Sequence, residues 1–193
     1  MRVEALTGPA LSAALDDVGR LRIAVFRDWP YLYDGDLAYE RLYLEHYRTS
    51  ARAVLVGAFD GGSLVGAATG TPMEDHANDF ATAFSQTGLA LSDIFYCAES
   101  VLLPAYRGKG VGHRFFDSRE AHARSLGRRY VAFCAVQRPD DHPARPDGYR
   151  PLDAFWRARG YAPLDGVVAK FRWKDLGDTV DSEKPLQFWM REL

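Results

Sequence analysis

Residues 94–136 constrain the fold of this chain more than any others. Ile94 to Leu103 is an apolar run that reads as a buried strand. Gly110 to Leu126 sets apolar residues at helical spacing and is stopped by Gly127, and Tyr130 to Val136 is a second apolar run. Strand, turn, helix, strand is a βαβ unit, and because a helical crossover returns the chain in its original direction, the two strands are expected to be parallel. The turn reads Val101-Leu102-Leu103-Pro104-Ala105-Tyr106-Arg107-Gly108-Lys109-Gly110-Val111-Gly112. With no side chains at Gly108, Gly110 and Gly112, the amides of the turn and of the helix start can approach an anion closely, and the helix dipole favours negative charge there. Arg107 and Lys109 add formal positive charge. The pattern predicts a pyrophosphate site; the bland alternative is a flexible turn that caps a helix.

Spacing separates the phosphate-binding motifs. A P-loop needs Ser or Thr after Gly-Lys, but Gly110 follows Lys109, and a dinucleotide fingerprint would need glycine at His113 or at Phe115. Arg-x-x-Gly-x-Gly from Arg107 through Gly112, behind a strand closed by Pro104 and Tyr106, instead resembles the acetyl-CoA loop of the Gcn5-related N-acetyltransferase (GNAT) superfamily. The resemblance implies that the amides from Arg107, Gly108, Lys109, Gly110, Val111 and Gly112 hold the CoA pyrophosphate, with Leu102 and Leu103 along the pantetheine arm. It also implies an α/β fold with a mixed, mostly antiparallel central sheet of about six or seven strands, a parallel pair splayed at the acetyl-CoA site, and about four flanking helices.

The rest of the chain agrees with that order. Arg2 to Leu6 suits a short strand, and Leu11, Leu15, Val18, Leu21, Val25 and Phe26 recur at helical spacing up to Trp29-Pro30. A second helix follows Asp36, a natural N-cap, through Leu37, Arg41, Leu44 and Arg48. Ala53 to Phe59 and Ser63 to Thr71 flank Asp60-Gly61-Gly62 as a hairpin. Residues 73–93 are more polar and read as an inserted loop with a helical turn around Phe80 to Phe84, available to line a site. After a Pro-rich loop from Arg138 to Pro146, a short helix spans Pro151 to Arg159, and Val167 to Trp173 and Leu186 to Leu193 are expected strands. A single domain over residues 1–193 is expected, without internal repeats.

Amine acylation needs a group to take the proton of the attacking nitrogen. Glu99 interrupts the strand Ile94-Phe95-Tyr96-Cys97-Ala98 just ahead of the turn, and is the candidate base; a hydrogen-bonded structural carboxylate is the other reading. Phe155-Trp156-Arg157-Ala158-Arg159-Gly160-Tyr161 resembles the family segment in which a helix ends in glycine and an aromatic. The resemblance places Phe155 and Trp156 beside the cofactor, or simply packed on the sheet. Many members carry a tyrosine where Trp156 stands, and indole is no acid at neutral pH, so either the thiolate leaves without that help or another group protonates it, with Tyr149 and Tyr161 the nearby substitutes. For the acceptor, the loop between the first two helices offers Tyr31, Tyr33 and Asp34, aromatics beside a carboxylate that suit a cationic amine.

Composition narrows the partners. The 193 residues are 47% hydrophobic, enough for a core without metal or disulfide, and 24 basic residues nearly cancel 26 acidic ones. No nucleic-acid or membrane footprint is expected from that balance. Cys97 and Cys134 fall inside apolar strands and read as reduced core thiols. Asp140-Asp141-His142 lacks ligand spacing, so no metal is expected. The N-terminal MRVEALTGPALSAALDD has no apolar run suited to a signal peptide, and nothing approaches the ~20 apolar residues of a membrane span, which predicts a cytoplasmic protein. Acetyl-CoA and an amine acceptor are the expected partners, with a homodimer also implied by the resemblance. The competing class is a catalytically silent acyl-CoA sensor of the same fold.

Overall fold

Strands and helices follow one another in the computed structural model, which describes residues 1–193. They run β1 (Arg2–Leu6), α1 (Gly8–Phe26), α2 (Leu37–Thr49), β2 (Val54–Asp60), β3 (Ser63–Pro72), α3 (Ala77–Phe84), β4 (Ile94–Leu102), α4 (Val111–Ser125), β5 (Tyr130–Val136), α5 (Asp153–Ala158), β6 (Ala162–Trp173) and β7 (Ser182–Glu192). The strands form one seven-stranded sheet in the order β1-β2-β3-β4-β5-β7-β6, in which β4 and β5 are the parallel pair. This is the expected mixed, mostly antiparallel architecture, with five α-helices rather than about four.

Local chemistry explains the boundaries. The Asp36 carboxylate accepts the amides of Ala38 (2.9 Å) and Tyr39 (3.0 Å), satisfying two donors that the first turn of α2 would leave free. Gly61 takes φ +57° at the tip of the β2–β3 hairpin, a conformation that costs glycine nothing. β6 begins earlier than its apolar run because Asp165-Gly166 bulges out of the ladder between Pro163 and Val168. Gln187 Nε2 closes that bulge on the carbonyls of Leu164 (2.6 Å) and Val167 (3.3 Å).

Both sheet faces are covered. On one face, Leu11, Leu15, Val18 and Leu21 of α1 and Leu44 and Tyr47 of α2 pack on Leu55, Ala67 and Val101. On the other, Val111, Phe115, Phe116 and Ala123 of α4 pack on Val54, Val56, Phe95 and Cys97. Phe95, Cys97 and Val101 are all odd-numbered residues of β4, yet Val101 faces the opposite side, because the β3–β4 register slips by one residue. Ala68 faces Ser100 and Gly70 faces Cys97, which places a β-bulge at Ala98–Glu99.

Within the expected insert, the helical turn around Phe80 to Phe84 is present as α3, which runs longer, over Ala77–Phe84. Phe80 and Phe84 of α3 are buried against Ile94, Tyr96 and Phe188. The segment's polar residues cover the outer side of that helix, while two phenylalanines anchor it to the core. No helix is long and apolar enough to cross a membrane.

Candidate active site

β4 and β5 pair over only Ile94–Tyr130, Phe95–Val131 and Tyr96–Ala132, although β4 continues to Leu102 and β5 to Val136. Past Tyr96 the strands separate, and a cleft of about 1100 Å3 opens between them. The glycine turn and the start of α4 line it, as do Ala98 and Glu99 on β4, Cys134 on β5, and Phe155 and Trp156 on α5.

Gly108 and Gly110 hold φ +74° and +75°, so the turn needs glycine for its backbone conformation rather than for space, which is open around both. α4 starts without a side-chain cap and without an acidic residue in its first turn, leaving its amides and dipole free for an anion. A Cβ at Gly112 would stand 3.6 Å from the Phe155 ring, so α5 rests directly on this turn. Arg107 and Arg150 line the cleft and have no carboxylate partner. Leu102, Val111 and Gly112 also line it, as the resemblance implied. Leu103 and the Lys109 side chain do not: Leu103 tucks under the hairpin with its amide on Val65 O (3.0 Å), and Lys109 Nζ folds back onto Ala105 O (3.0 Å).

Glu99 is fixed by the bulge and by charge. Its side chain is 1% exposed, and its Oε2 accepts Arg22 Nη1 at 2.8 Å. Arg22 also binds Glu40 Oε2 through Nε at 2.5 Å, while Oε1 of both Glu99 and Glu40 is buried without a partner. Burial opposes the Arg22 charge, but Glu99, Tyr43 and Glu40 more than offset it, raising its pKa well above the ordinary arginine value. Arg119, 1% exposed, braces the bulge from the opposite face by donating to the carbonyls of Glu99 (3.1 Å) and Thr69 (3.2 Å) and to Ser100 Oγ (2.9 Å).

A smaller cavity of about 100 Å3 adjoins the cleft and shares Phe26, Tyr31, Ala98, Glu99 and Cys134 with it. Tyr31 and Tyr33 line this cavity; burial pushes both phenols up, so they stay protonated. Asp34 does not line it. Its carboxylate turns outward to Lys174 Nζ (2.7 Å), which holds its pKa low. The loop itself is clamped: Arg138 donates to the carbonyls of Pro30 (2.9 Å) and Tyr31 (2.7 Å) and grips Asp175, and Trp173 Nε1 donates to Tyr31 O at 3.0 Å. Residues 73–93 line neither space.

Tyr149 lines the cleft half-buried, stacked edge-on to Trp29, and its pKa is raised by burial and by Asp153. Tyr161 is corrected out of the site: it is 1% exposed in the core and donates to Glu120 Oε1 at 3.0 Å. Trp156 both lines the cleft and packs on Phe133 and Trp189, so its two readings hold together. Burial raises the Cys97 thiol and pushes the Cys134 thiol up to about 12, so neither is a thiolate at neutral pH.

Sequence reasoning missed Arg22, Glu40, Arg119, Arg138 and Asp175. A signal existed for two of them: Arg22 falls between Val18 and Phe26, and Arg119 between Phe115 and Ala123, at positions where the helical spacing asks for an apolar residue.

With that geometry in view, three solved structures share the fold over essentially their whole length. The ribosomal-protein-alanine N-acetyltransferase of Brucella melitensis is 15% identical with a TM-score of 0.62, and 100% of each chain is covered. The polyamine N-acetyltransferase of Drosophila melanogaster is 12% identical with a TM-score of 0.60, again with 100% of each covered. The PaiA N-acetyltransferase of Thermoplasma acidophilum, solved in complex with coenzyme A, is 13% identical with a TM-score of 0.56 and 100% of each covered. No curated protein matches the chain by sequence. The family model of the acetyltransferase (GNAT) family matches residues 20–146, which run from the C-terminal end of α1 through the bulged strand and the glycine turn, and this chain therefore belongs to the GNAT family of acetyltransferases.

Proposed function

We propose that the protein transfers an acetyl group from acetyl-CoA to the amino nitrogen of an acceptor, with Glu99 as general base and Tyr149 as general acid. One observation carries the reading: a carboxylate buried at a β-bulge, with one oxygen lacking a partner, stands in the wall common to the cleft and the cavity. The residues fit CoA. An uncapped helix start, two glycines at positive φ and the unpaired cations Arg107 and Arg150 suit a pyrophosphate, and the Thermoplasma relative was solved with coenzyme A in the same fold.

Acetyl-CoA supplies the acetyl group as a thioester, whose C–S bond breaks as the C–N bond to the acceptor forms. An ammonium gives up two protons on becoming an amide, one ending in solvent and one on the thiol sulfur. Glu99 Oε1 accepts a proton from the attacking nitrogen, while Arg22 holds the carboxylate through Oε2. Tyr149, kept protonated by burial, donates to the departing sulfur and is refilled from solvent.

Two measurements test this. Titration calorimetry with acetyl-CoA should give saturable heat that Arg107→Glu together with Gly110→Asp abolishes. Glu99→Gln should lower kcat for thiol release about 100-fold or more while leaving acetyl-CoA affinity within about 3-fold. Undiminished turnover in Glu99→Gln removes the base assignment, and binding without thiol release across a broad amine panel favours the silent sensor instead.

A further inference from the structure

Resting on that reading of the site, we propose that the acceptor is a compact primary monoamine, cationic at neutral pH and carried on a single aromatic ring or a short apolar stem. It sits in the smaller cavity with its nitrogen on Glu99 Oε1.

Three observations converge on this class. The first is shape. The cavity holds about 100 Å3 and is walled by the rings of Phe26, Tyr31, Tyr43, Tyr96 and Trp173. An apolar cavity of about 150 Å3 accommodates benzene, so this smaller space admits a few methylenes outright and one ring only by using the side open to the cleft. Its roof is not free to lift, because Arg138 and Asp175 staple the Tyr31 loop to the end of β6.

The second is charge. Glu40 and Glu99, with side chains 0% and 1% exposed, share the single guanidinium of Arg22. Two carboxylates against one cation leave a net negative charge out of water, and a buried charge is stabilised by a partner rather than by solvent. An ammonium brings the missing charge and also the donor that Glu99 Oε1 lacks. Arg22 already lies over the rings of Phe26 and Tyr43, and Arg138 and Lys184 over Trp173, so Tyr31 and Tyr96 are the wall rings left for cation–π attraction to the same group. Arg172, the other charged residue at the cavity, is exposed and donates to Asp181 O at 2.9 Å, so its charge is directed away.

The third is the absence of a second anchor. Glu99 is the one carboxylate lining the cavity, so the distal ammonium of a polyamine would have to reach out into the cleft, where Asp28, Asp140 and Asp153 lie, to find a counter-charge. A peptide N-terminus fares no better, since its second residue and backbone amides would have to enter an aromatic-walled space too small for them.

The test uses the full chain saturated with CoA and titrates phenethylamine, phenethyl alcohol, spermidine and a tripeptide with a free N-terminus, read by calorimetry. Thiol release with acetyl-CoA is followed in parallel. Phenethylamine should bind, phenethyl alcohol at least about 10-fold more weakly, and Glu99→Gln should cost phenethylamine about 30-fold in affinity. Its kcat/KM should exceed that of spermidine and of the tripeptide by at least about 50-fold. A second variant, Leu186→Phe, narrows the cavity away from Glu99. It should raise KM for phenethylamine more than for ethylamine, with acetyl-CoA affinity unchanged.

Equal binding of the alcohol, or a preference for spermidine or the peptide, overturns the inference while leaving the acetyltransferase reading intact. Absence of acetyl-CoA binding overturns the acetyltransferase reading instead. In that case the amine titration, repeated without CoA, still decides whether the cavity holds a compact ammonium.

Discussion

Arg22 lies 8% exposed on the inner side of α1, between two carboxylates that are themselves buried. Removing one member of such a set strands the others without a partner, which typically costs about 3–5 kcal/mol. Arg22→Met keeps most of the volume and removes the charge, so urea denaturation should show a loss of that order. A loss under about 1 kcal/mol would mean that the three charges do not form a unit in solution. The position was readable as an anomaly, a charged residue in an apolar helical register, but its partners were not. Glu40 is 18 residues away and Glu99 is 77, and only the folded sheet brings them within 3 Å of one guanidinium. Glu99 stood out for a related reason, as a carboxylate inside an apolar strand. Asp34 shows the limit of such reasoning: beside the same aromatics in sequence, it turned outward because Lys174 on the facing turn was available to pair with it.

At the scale of elements, α3 and the bulge of β4 separate what pattern can and cannot convey. Phe80 is fully buried and meets Tyr96 and Phe188 edge-on at 4.7 and 5.1 Å. Phe80→Ala should therefore cost about 3–5 kcal/mol of stability. Because residues 73–93 line neither the cleft nor the cavity, acetyl-CoA affinity should stay within about 3-fold by calorimetry; a larger change would mean that α3 supports the cofactor side after all. The bulge decides where Glu99 points and leaves less trace. It adds one residue to β4, reverses which residues face each layer from there onward, and so turns Glu99 toward α1 rather than α4. No composition marks it, since the residues involved are Ala98 and Glu99; the glycine turn a few residues later announces itself because positive φ demands a particular residue type.

For the whole molecule, stability should follow pH in two separate windows. His46, packed against the ring of His76 at 4.5 Å, has its pKa lowered by burial and by His76, with Glu99 and Asp79 acting weakly the other way. The unfolded chain therefore takes the proton first, and as pH falls below about 6.5 the folded state loses ground until the folded pKa is passed. Glu74 and Asp175 act oppositely in sign. Despite burial, Arg128 and Arg52 hold Glu74 low, and Arg138 and Lys184 hold Asp175 low. Their contribution is present above the ordinary carboxylate range and disappears as pH drops through their depressed values. Melting temperature should fall between pH 7 and pH 5 and again below about pH 4, with His46→Gln flattening only the first step. A first step that survives in His46→Gln would assign it elsewhere. By itself the sequence determined the order of strands and helices, the parallel βαβ unit and the glycine turn, because each rests on periodicity or on a backbone need that one residue type meets. Only the tertiary structure decided which side of β4 Glu99 faces, which carboxylate shares Arg22 with it, and that the Tyr31 loop is stapled to β6 by Arg138. Those are contacts between residues far apart in the chain, and their geometry exists only once the sheet has closed around them.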